Sequence, residues 1–385
     1  MNSVFSGLST TIFDSMSNLA RELGAVNLGQ GFPDDPGPED VRKKAADEIM
    51  SGWNQYPPMM GLPELREAIA VHYAQHQNIS IDANTETMVT SGATEALAAA
   101  LLATINPGDE VVLFQPTYDA YLPLVLRAGG VPRFVNLKPP NWTFDREDLE
   151  RAFSDRTKVV LFNSPLNPCA TIFSRSQHIL LADFCKRFDA VAICDEVWEH
   201  IVFDGVEHTT MISIEGMRDR TIKIGSAGKI FSLTGWKVGF VVASPSLLAI
   251  VAKAHQFLAF TTAPNLQSAV AFGLKKDLNY FVEMRARFAE RRDYFSNGLR
   301  DCGFNVRHSQ ATYFVNVDIS DFNISDTAFT QRLVREFGVA AIPISAFYSG
   351  NSPNSDTVRF CFAKKRETLD AGLDRLRTAA RTMRI

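Results

Sequence analysis

The sequence predicts an α/β fold built on one mostly parallel, seven-stranded sheet, and three observations carry that expectation. Short apolar runs bounded by turn residues alternate with longer helical stretches, the pattern of strands joined by helical crossovers. Several runs are apolar throughout, as strands must be when helices cover both faces of their sheet. From about Phe281 the alternation gives way to charged helices separated by isolated strands, which predicts a smaller α+β portion.

Taken in order, strands are expected at Glu86–Thr90, Val111–Phe114, Arg133–Leu137, Lys158–Phe162, Ala190–Cys194, Thr221–Gly225 and Val238–Ala243. Thr94–Ile105 and Gln177–Phe188 lie between them with helical length. Further on, a charged helix at Glu283–Arg300 leads to the segment Thr312–Val317. A helix near Thr327–Phe337, a strand near Thr357–Ala363 and a last helix at Lys365–Arg381 complete the chain. Residues 45–280 are expected to form the large domain, with residues 1–44 and 281–385 forming the small one.

The 385 residues suffice for such a pair of domains and a substantial core. With 46% hydrophobic and 21% charged residues, the chain has the make-up of a soluble globular protein. A net charge of −4 gives no electrostatic case for nucleic acid or an anionic membrane. No apolar run approaches the roughly 20 residues that span a bilayer. Met1–Ala20 contains Asp14 and lacks the basic, apolar, small-residue order of a signal sequence, so a cytoplasmic location is expected.

The five cysteines are scattered without C-x-x-C spacing, as free thiols in a reducing compartment would be. His72 and His76 stand four apart on a helix, a spacing metals use. No Glu follows His72 and no third ligand is evident, so a solvated helix face and no metal are expected.

Polar motifs follow the strand ends, where ligands bind in open α/β sheets. Ser91-Gly92-Ala93-Thr94 opens an apolar helix whose free N–H groups suit a phosphate, although it also reads as an ordinary helix start. Tyr118, in Gln115-Pro116-Thr117-Tyr118, can cover a planar ring or simply pack in the core. Asn167, in Asn163-Ser164-Pro165-Leu166-Asn167-Pro168, can donate to a ligand oxygen or serve a turn. Asp195 directly follows an apolar strand, where a carboxylate is costly unless paired. It reads either as a helix cap or as the partner of a protonated ring nitrogen.

Lys229 is the most informative residue. It lies in Ser226-Ala227-Gly228-Lys229, with Thr234-Gly235-Trp236-Lys237-Val238-Gly239 following. A lysine amine titrates near about 10.4 and is a poor nucleophile while protonated. Apolar surroundings and a second cation, here Lys237, favour the neutral amine that forms a Schiff base.

Together these segments resemble class I/II aminotransferases, the pyridoxal 5'-phosphate (PLP) enzymes of fold type I, over about Asn27 to Lys364. The run Asn27-Leu28-Gly29-Gln30-Gly31-Phe32-Pro33-Asp34 is most similar to the kynurenine, glutamine and methionine aminotransferase branch. The resemblance implies that Lys229 carries the cofactor and moves the substrate α-proton. It makes Asp195 the partner of the pyridine nitrogen, Asn167 a donor to the 3'-oxygen and Tyr118 the ring cover. Ala93, Thr94, Ser226 and Lys237 would hold the phosphate, joined by Tyr56 from a second subunit. Arg359, in Val358-Arg359-Phe360, would grip the substrate α-carboxylate, with Gly31 against the substrate and Phe260 reaching in from the partner.

The implied reaction is ping-pong transfer from an aromatic, methionine-like or glutamine-like L-amino acid to a 2-oxo acid such as 2-oxoglutarate, in a homodimer with shared sites. A cysteine-conjugate β-lyase and a PLP-sensing regulator are the alternatives. The regulator would need a DNA-binding segment, for which the sequence gives no sign. Three positions depart from the family pattern. Trp198 replaces the usual Tyr that donates to the 3'-oxygen, Ala170 replaces a Gly, and Lys237 replaces the Arg of many relatives.

Overall fold

The computed structural model describes residues 2–8, 10–350, 352–353 and 355–384. The first strands are β1 (Val26–Asn27), β2 (Thr87–Thr90), β3 (Glu110–Gln115), β4 (Val131–Asn136), β5 (Thr157–Asn163), β6 (Val191–Asp195), β7 (Thr221–Ser226) and β8 (Gly239–Ala243). They are followed by β9 (Asn305–Val306), β10 (Phe314–Asp318), β11 (Val339–Ala340), β12 (Ile342–Pro343) and β13 (Thr357–Cys361).

Strands β2 to β8 make one seven-stranded sheet in the order β2-β8-β7-β6-β5-β3-β4. The run from β7 to β4 pairs in parallel, and β8 lies antiparallel between β7 and β2. The mostly parallel α/β sheet expected from the sequence is therefore present, each strand within two residues of its expected bounds. Successive side chains of a strand point to opposite faces, and the core divides accordingly. Val111, Leu113, Leu161 and Ile193 enter one apolar layer, while Val112, Phe114, Phe162 and Cys194 enter another. At the sheet edge β4 is largely exposed, which explains why its run was the least apolar.

The helix Ala93–Thr104 follows β2, and Arg175–Arg187 bridges β5 and β6 behind a capping box of Ser174 and Gln177. The long helix Leu278–Asp301 starts at Asp277, whose side chain accepts from the Tyr280 amide. Beyond it, β12, β13, β10 and β9 form an antiparallel sheet. β1 pairs in parallel with β11, Val26 opposite Val339, and so ties the N-terminal segment to this later part of the chain. All five cysteines are buried and unbridged. Among the described residues no helix is long and apolar enough to cross a membrane.

One expectation fails. The His72–His76 face is not solvated: His72 is 1% exposed, and its Nε2 lies 2.8 Å from Nε2 of His200. The rings of His72, His76, His200 and Phe281 pack together where the loop after β6 and the start of the helix Leu278–Asp301 meet this face. Burial, followed by the neighbouring imidazoles, pushes the His72 pKa well below its ordinary value. Residues distant in sequence cover the face, so its local spacing gave no sign of it.

The buried strand β7 also carries a charge. Lys223 donates to Glu196 and, at 2.7 Å, to Glu199, with all three side chains sealed from solvent. Burial alone would raise the Glu196 carboxyl, but Lys223 and His208 outweigh it and hold the pKa at about 2. Glu196, Glu199 and His208 bring possible metal-ligand atoms close together, yet the Lys223 ammonium already bonds both carboxylates. Lys223→Met should therefore leave two buried acids without their shared ammonium and cost about 3–5 kcal/mol of stability, read as a lowered midpoint in denaturant unfolding.

Candidate active site

The parallel strands β3, β5, β6 and β7 deliver their carboxyl ends to one edge of the sheet. Asn163 at the end of β5 stands in register with Asp195 at the end of β6. Above that edge lies a cavity of about 210 Å3 lined by Ala93, Thr94, Tyr118, Asn167, Asp195, Trp198, Ser226, Lys229 and Lys237. A second cavity of about 380 Å3 contains Gly31, Asp119, Phe314 and Arg359. Tyr118, Asn167, Trp198 and Lys229 line both, so the amine stands at their common wall.

At one end of the first cavity is the N-terminus of the helix Ala93–Thr104. Its cap residue Gly92 takes φ +80° and offers no side-chain acceptor, leaving the first-turn amides to a ligand. Close packing also requires glycine there: a Cβ on Gly92 would lie 3.0 Å from Cε of Lys237, in backbone that L side chains rarely adopt. The uncapped amides, the Lys237 ammonium and the Ser226 hydroxyl form a donor set suited to a phosphate dianion.

Asp195, on the same lining, is buried. Burial pushes its carboxyl up, opposed by the Tyr121 hydroxyl, which donates to it at 2.6 Å, and by the Val197 amide at 3.2 Å. A cation in the cavity would favour the carboxylate further. The Asn163 amide donates to the Asp195 carbonyl at 2.8 Å and accepts from the Asn167 amide N–H at 2.9 Å, which locks the two loops together. Burial brings Lys229 down to about 8 against the attraction of Asp195. Its Nζ lies 4.6 Å over the Trp198 ring and donates to the Tyr313 hydroxyl at 3.1 Å.

In the second cavity Arg359 is 1% exposed and lies 3.9 Å over the Phe314 ring. It donates to Asn167 Oδ1 at 2.6 Å and to the Gly29 carbonyl at 3.1 Å, while its buried Nε has no partner. Such an unsatisfied cationic donor fits a carboxylate that accepts through both oxygens. Gly31 faces the same ring so closely that a Cβ would lie 2.7 Å from Cζ of Phe314. A phosphate cradle, a buried carboxylate, a neutral-capable lysine and a carboxylate clamp match the functional groups of pyridoxal phosphate and an amino acid.

Tyr56 and Phe260 are not drawn into either cavity. They lie on an exposed surface with their rings edge to face at 5.7 Å. Conversely, Tyr121, Asn163 and Tyr313 reach the site without having been singled out. Tyr121 and Asn163 sit inside quoted motifs, so their signal was present. Tyr313 had none. It lies in the segment Thr312–Val317, but β10 begins only at Phe314 because Thr312 takes φ +66°.

Ala170 also occupies the left-handed region, at φ +58°, and is buried. Ala170→Gly should relieve about 1 kcal/mol of backbone strain while losing about 0.8 kcal/mol of methyl burial. The near-cancellation predicts a melting temperature changed by no more than about 2 °C in calorimetry.

The sequence profile of the family described as "Aminotransferase class I and II" matches residues 24–376. The chain is 41% identical to the probable N-succinyldiaminopimelate aminotransferase of Mycobacterium tuberculosis, covering 96% of each. It is 38% identical to the methionine aminotransferase of Escherichia coli, again over 96% of each. The solved structure of the N-succinyldiaminopimelate aminotransferase from Mycobacterium tuberculosis superposes with a TM-score of 0.96 at 40% identity, covering 98% of this chain and 100% of that one. Fold, site chemistry and relatives agree: the chain belongs to the class I and II aminotransferases, fold type I enzymes that use pyridoxal phosphate.

Proposed function

We propose that this aminotransferase takes its amino group from an L-amino acid with an aromatic, methionine-like or glutamine-like side chain. It passes the group to a 2-oxo acid, 2-oxoglutarate being the acceptor the branch resemblance implies. The observation that carries this reading is the position of Lys229 at the wall between the Asp195 cavity and the Arg359 cavity. Phe13, Phe32, Tyr118, Trp198 and Phe314 line the second cavity, and rings of this kind favour aromatic and thioether side chains. The cations there are Arg359 and Lys229, both engaged with the reacting end of the substrate, and Asp14 and Asp119 share the lining, which disfavours an anionic donor side chain.

Bound pyridoxal phosphate supplies an aldehyde carbon that forms imines and a ring that takes up an electron pair. In this reading Asp195 keeps a proton on the ring nitrogen, and Tyr118 covers the ring. Ala93, Thr94, Ser226 and Lys237 hold the phosphate. Asn167 has given its Oδ1 to Arg359 and keeps its amide N–H groups for the 3'-oxygen and the substrate. Arg359 fixes the α-carboxylate, Gly31 leaves room beside it, and Lys229 Nζ carries the proton to and from the substrate α-carbon.

The large portion, residues 45–280, and the small one, residues 1–44 and 281–385, would close around the substrate. A homodimer would complete each site with Tyr56 and Phe260 of the other subunit. In support, Met50, Trp53, Tyr56 and Phe257 are each at least 75% exposed, an apolar surface suited to assembly. A cytoplasmic location belongs to the same proposal.

Borohydride should fix the cofactor to Lys229, and peptide mapping to another lysine would overturn the assignment. Lys229→Ala should bind the cofactor yet lose several orders of magnitude in turnover. A panel of amino acids, each mixed singly with the yellow enzyme, identifies the donor by the loss of cofactor absorbance. The aromatic, methionine and glutamine members should react fastest. For the shared site, mixing inactive Tyr56 and Lys229 variants should restore activity through hybrid dimers, whereas full activity in a monomer would refute sharing.

A further inference from the structure

Tyr313 belongs to no motif of the site, yet its hydroxyl accepts a hydrogen bond from the Lys229 amine. Its position is held from several sides. The preceding Thr312 sits in left-handed backbone and donates from its amide to the Ile201 carbonyl at 2.8 Å. The Phe362 amide donates to the Tyr313 carbonyl at 3.0 Å. Trp198 meets the Tyr313 ring edge to face, with centroids 4.3 Å apart. A ring held this firmly presents its hydroxyl at a defined point.

The direction of the hydroxyl proton is settled by a third residue. Tyr313 donates to the Gly31 carbonyl at 2.6 Å. With its proton committed there, the phenol oxygen can offer Lys229 only a lone pair, and Nζ donates to it at 3.1 Å. Burial raises the phenol pKa well above its ordinary value, so the proton stays on oxygen throughout the working range.

We propose that Tyr313 is the positioning residue of Lys229: by accepting one N–H it turns the remaining nitrogen valences toward the substrate, and it steadies the ammonium that Lys229 becomes on taking the α-proton. The balance is simple. The substrate Cα–H bond breaks, its electron pair is left to the electron-accepting ring that bound pyridoxal phosphate would supply, and the proton joins the Nζ lone pair, from which the ammonium can give it back. Tyr313 gains and loses none, because its own proton stays on the phenol oxygen, donated to the Gly31 carbonyl. The arrangement also ties the backbone that lies against the substrate to the state of the amine. Trp198 keeps the ring in place in a chain that lacks the usual phenol at position 198.

The proposal rests on Lys229 being the reactive amine, and its test separates the two claims. Tyr313→Phe keeps the ring and its packing and removes the acceptor for Lys229 together with the donor to the Gly31 carbonyl. Asp195, Cys361, Arg359 and Lys237 are the other groups that act on the Lys229 charge, and the substitution alters none of them. Losing an acceptor that favours the charged form should lower the Lys229 pKa below its present value of about 8. Competitive acetylation of Lys229 across pH, in full-length enzyme converted to the pyridoxamine form, should show the midpoint falling by about half to one unit. The kcat should fall by about ten-fold with the donor KM within about two-fold, and the α-deuterium isotope effect should rise. Incorporating 3-fluorotyrosine at position 313, which keeps the shape and weakens the acceptor, should move the midpoint less and in the same direction. That measurement decides the matter if the Phe variant does not fold.

An unmoved midpoint in either variant overturns the proposal, even if turnover falls, because the hydroxyl would then serve Gly31 alone. A borohydride adduct found on another lysine would instead overturn the role given to Lys229.

Discussion

Two consecutive acids at the end of β6, both buried, are the constraint around which the rest is arranged. Asp195 faces the cavity, and Glu196 belongs to the sealed network on the other side of the sheet. Each must be satisfied where water cannot reach it. Glu196 is neutralised by Lys223 from the neighbouring strand, a fixed internal cation. Asp195 has a phenol and an amide instead, which leave its charge open to a titratable ring. The same pair of residues thus gives one face a permanent ion network and the other a socket for a cofactor.

The cavities differ in a similar way. In the first, the polar groups suit a ligand bearing phosphate and a basic ring. In the second, a buried guanidinium is surrounded by aromatic rings and keeps one donor unused. Burial acts on the two cations in the same direction, lowering Lys229 to about 8 and Arg359 to about 10. The outcomes diverge because their ordinary values differ. Near neutrality the lysine can exchange its proton, whereas the arginine remains charged, as the proposed clamp must.

Much of this was legible because it is local. A fully covered strand has to be apolar whatever it packs against, so the covered strands could be read directly and only the exposed edge strand β4 lacked that signal. The residues at their carboxyl ends lie within a few positions of those runs, which is why Asp195, Asn167 and Lys229 were found together. What escaped depends on distant chain. Tyr313 meets Lys229 across 84 residues, and a left-handed residue before β10 aims it. The His72 face is covered by His200 and Phe281, which no spacing within its own helix reveals. Tyr56 and Phe260 mark the opposite case, since the resemblance gave them a role that a single chain does not display.

The pairing of β1 with β11 has a consequence for how the enzyme is made. Gly29 and Arg359 bond across 330 residues, and the segment carrying Gly31 is anchored by a strand near the end of the chain. A ribosome delivers the N-terminal piece first, when none of its partners exists. The large sheet can assemble from neighbouring crossovers as they emerge, while the opening residues wait for the last part of the chain. Synthesis must therefore be nearly complete before the proposed carboxylate clamp is assembled. A prematurely ended chain is expected to keep the order of its large sheet and to lack the Gly29–Arg359 bond.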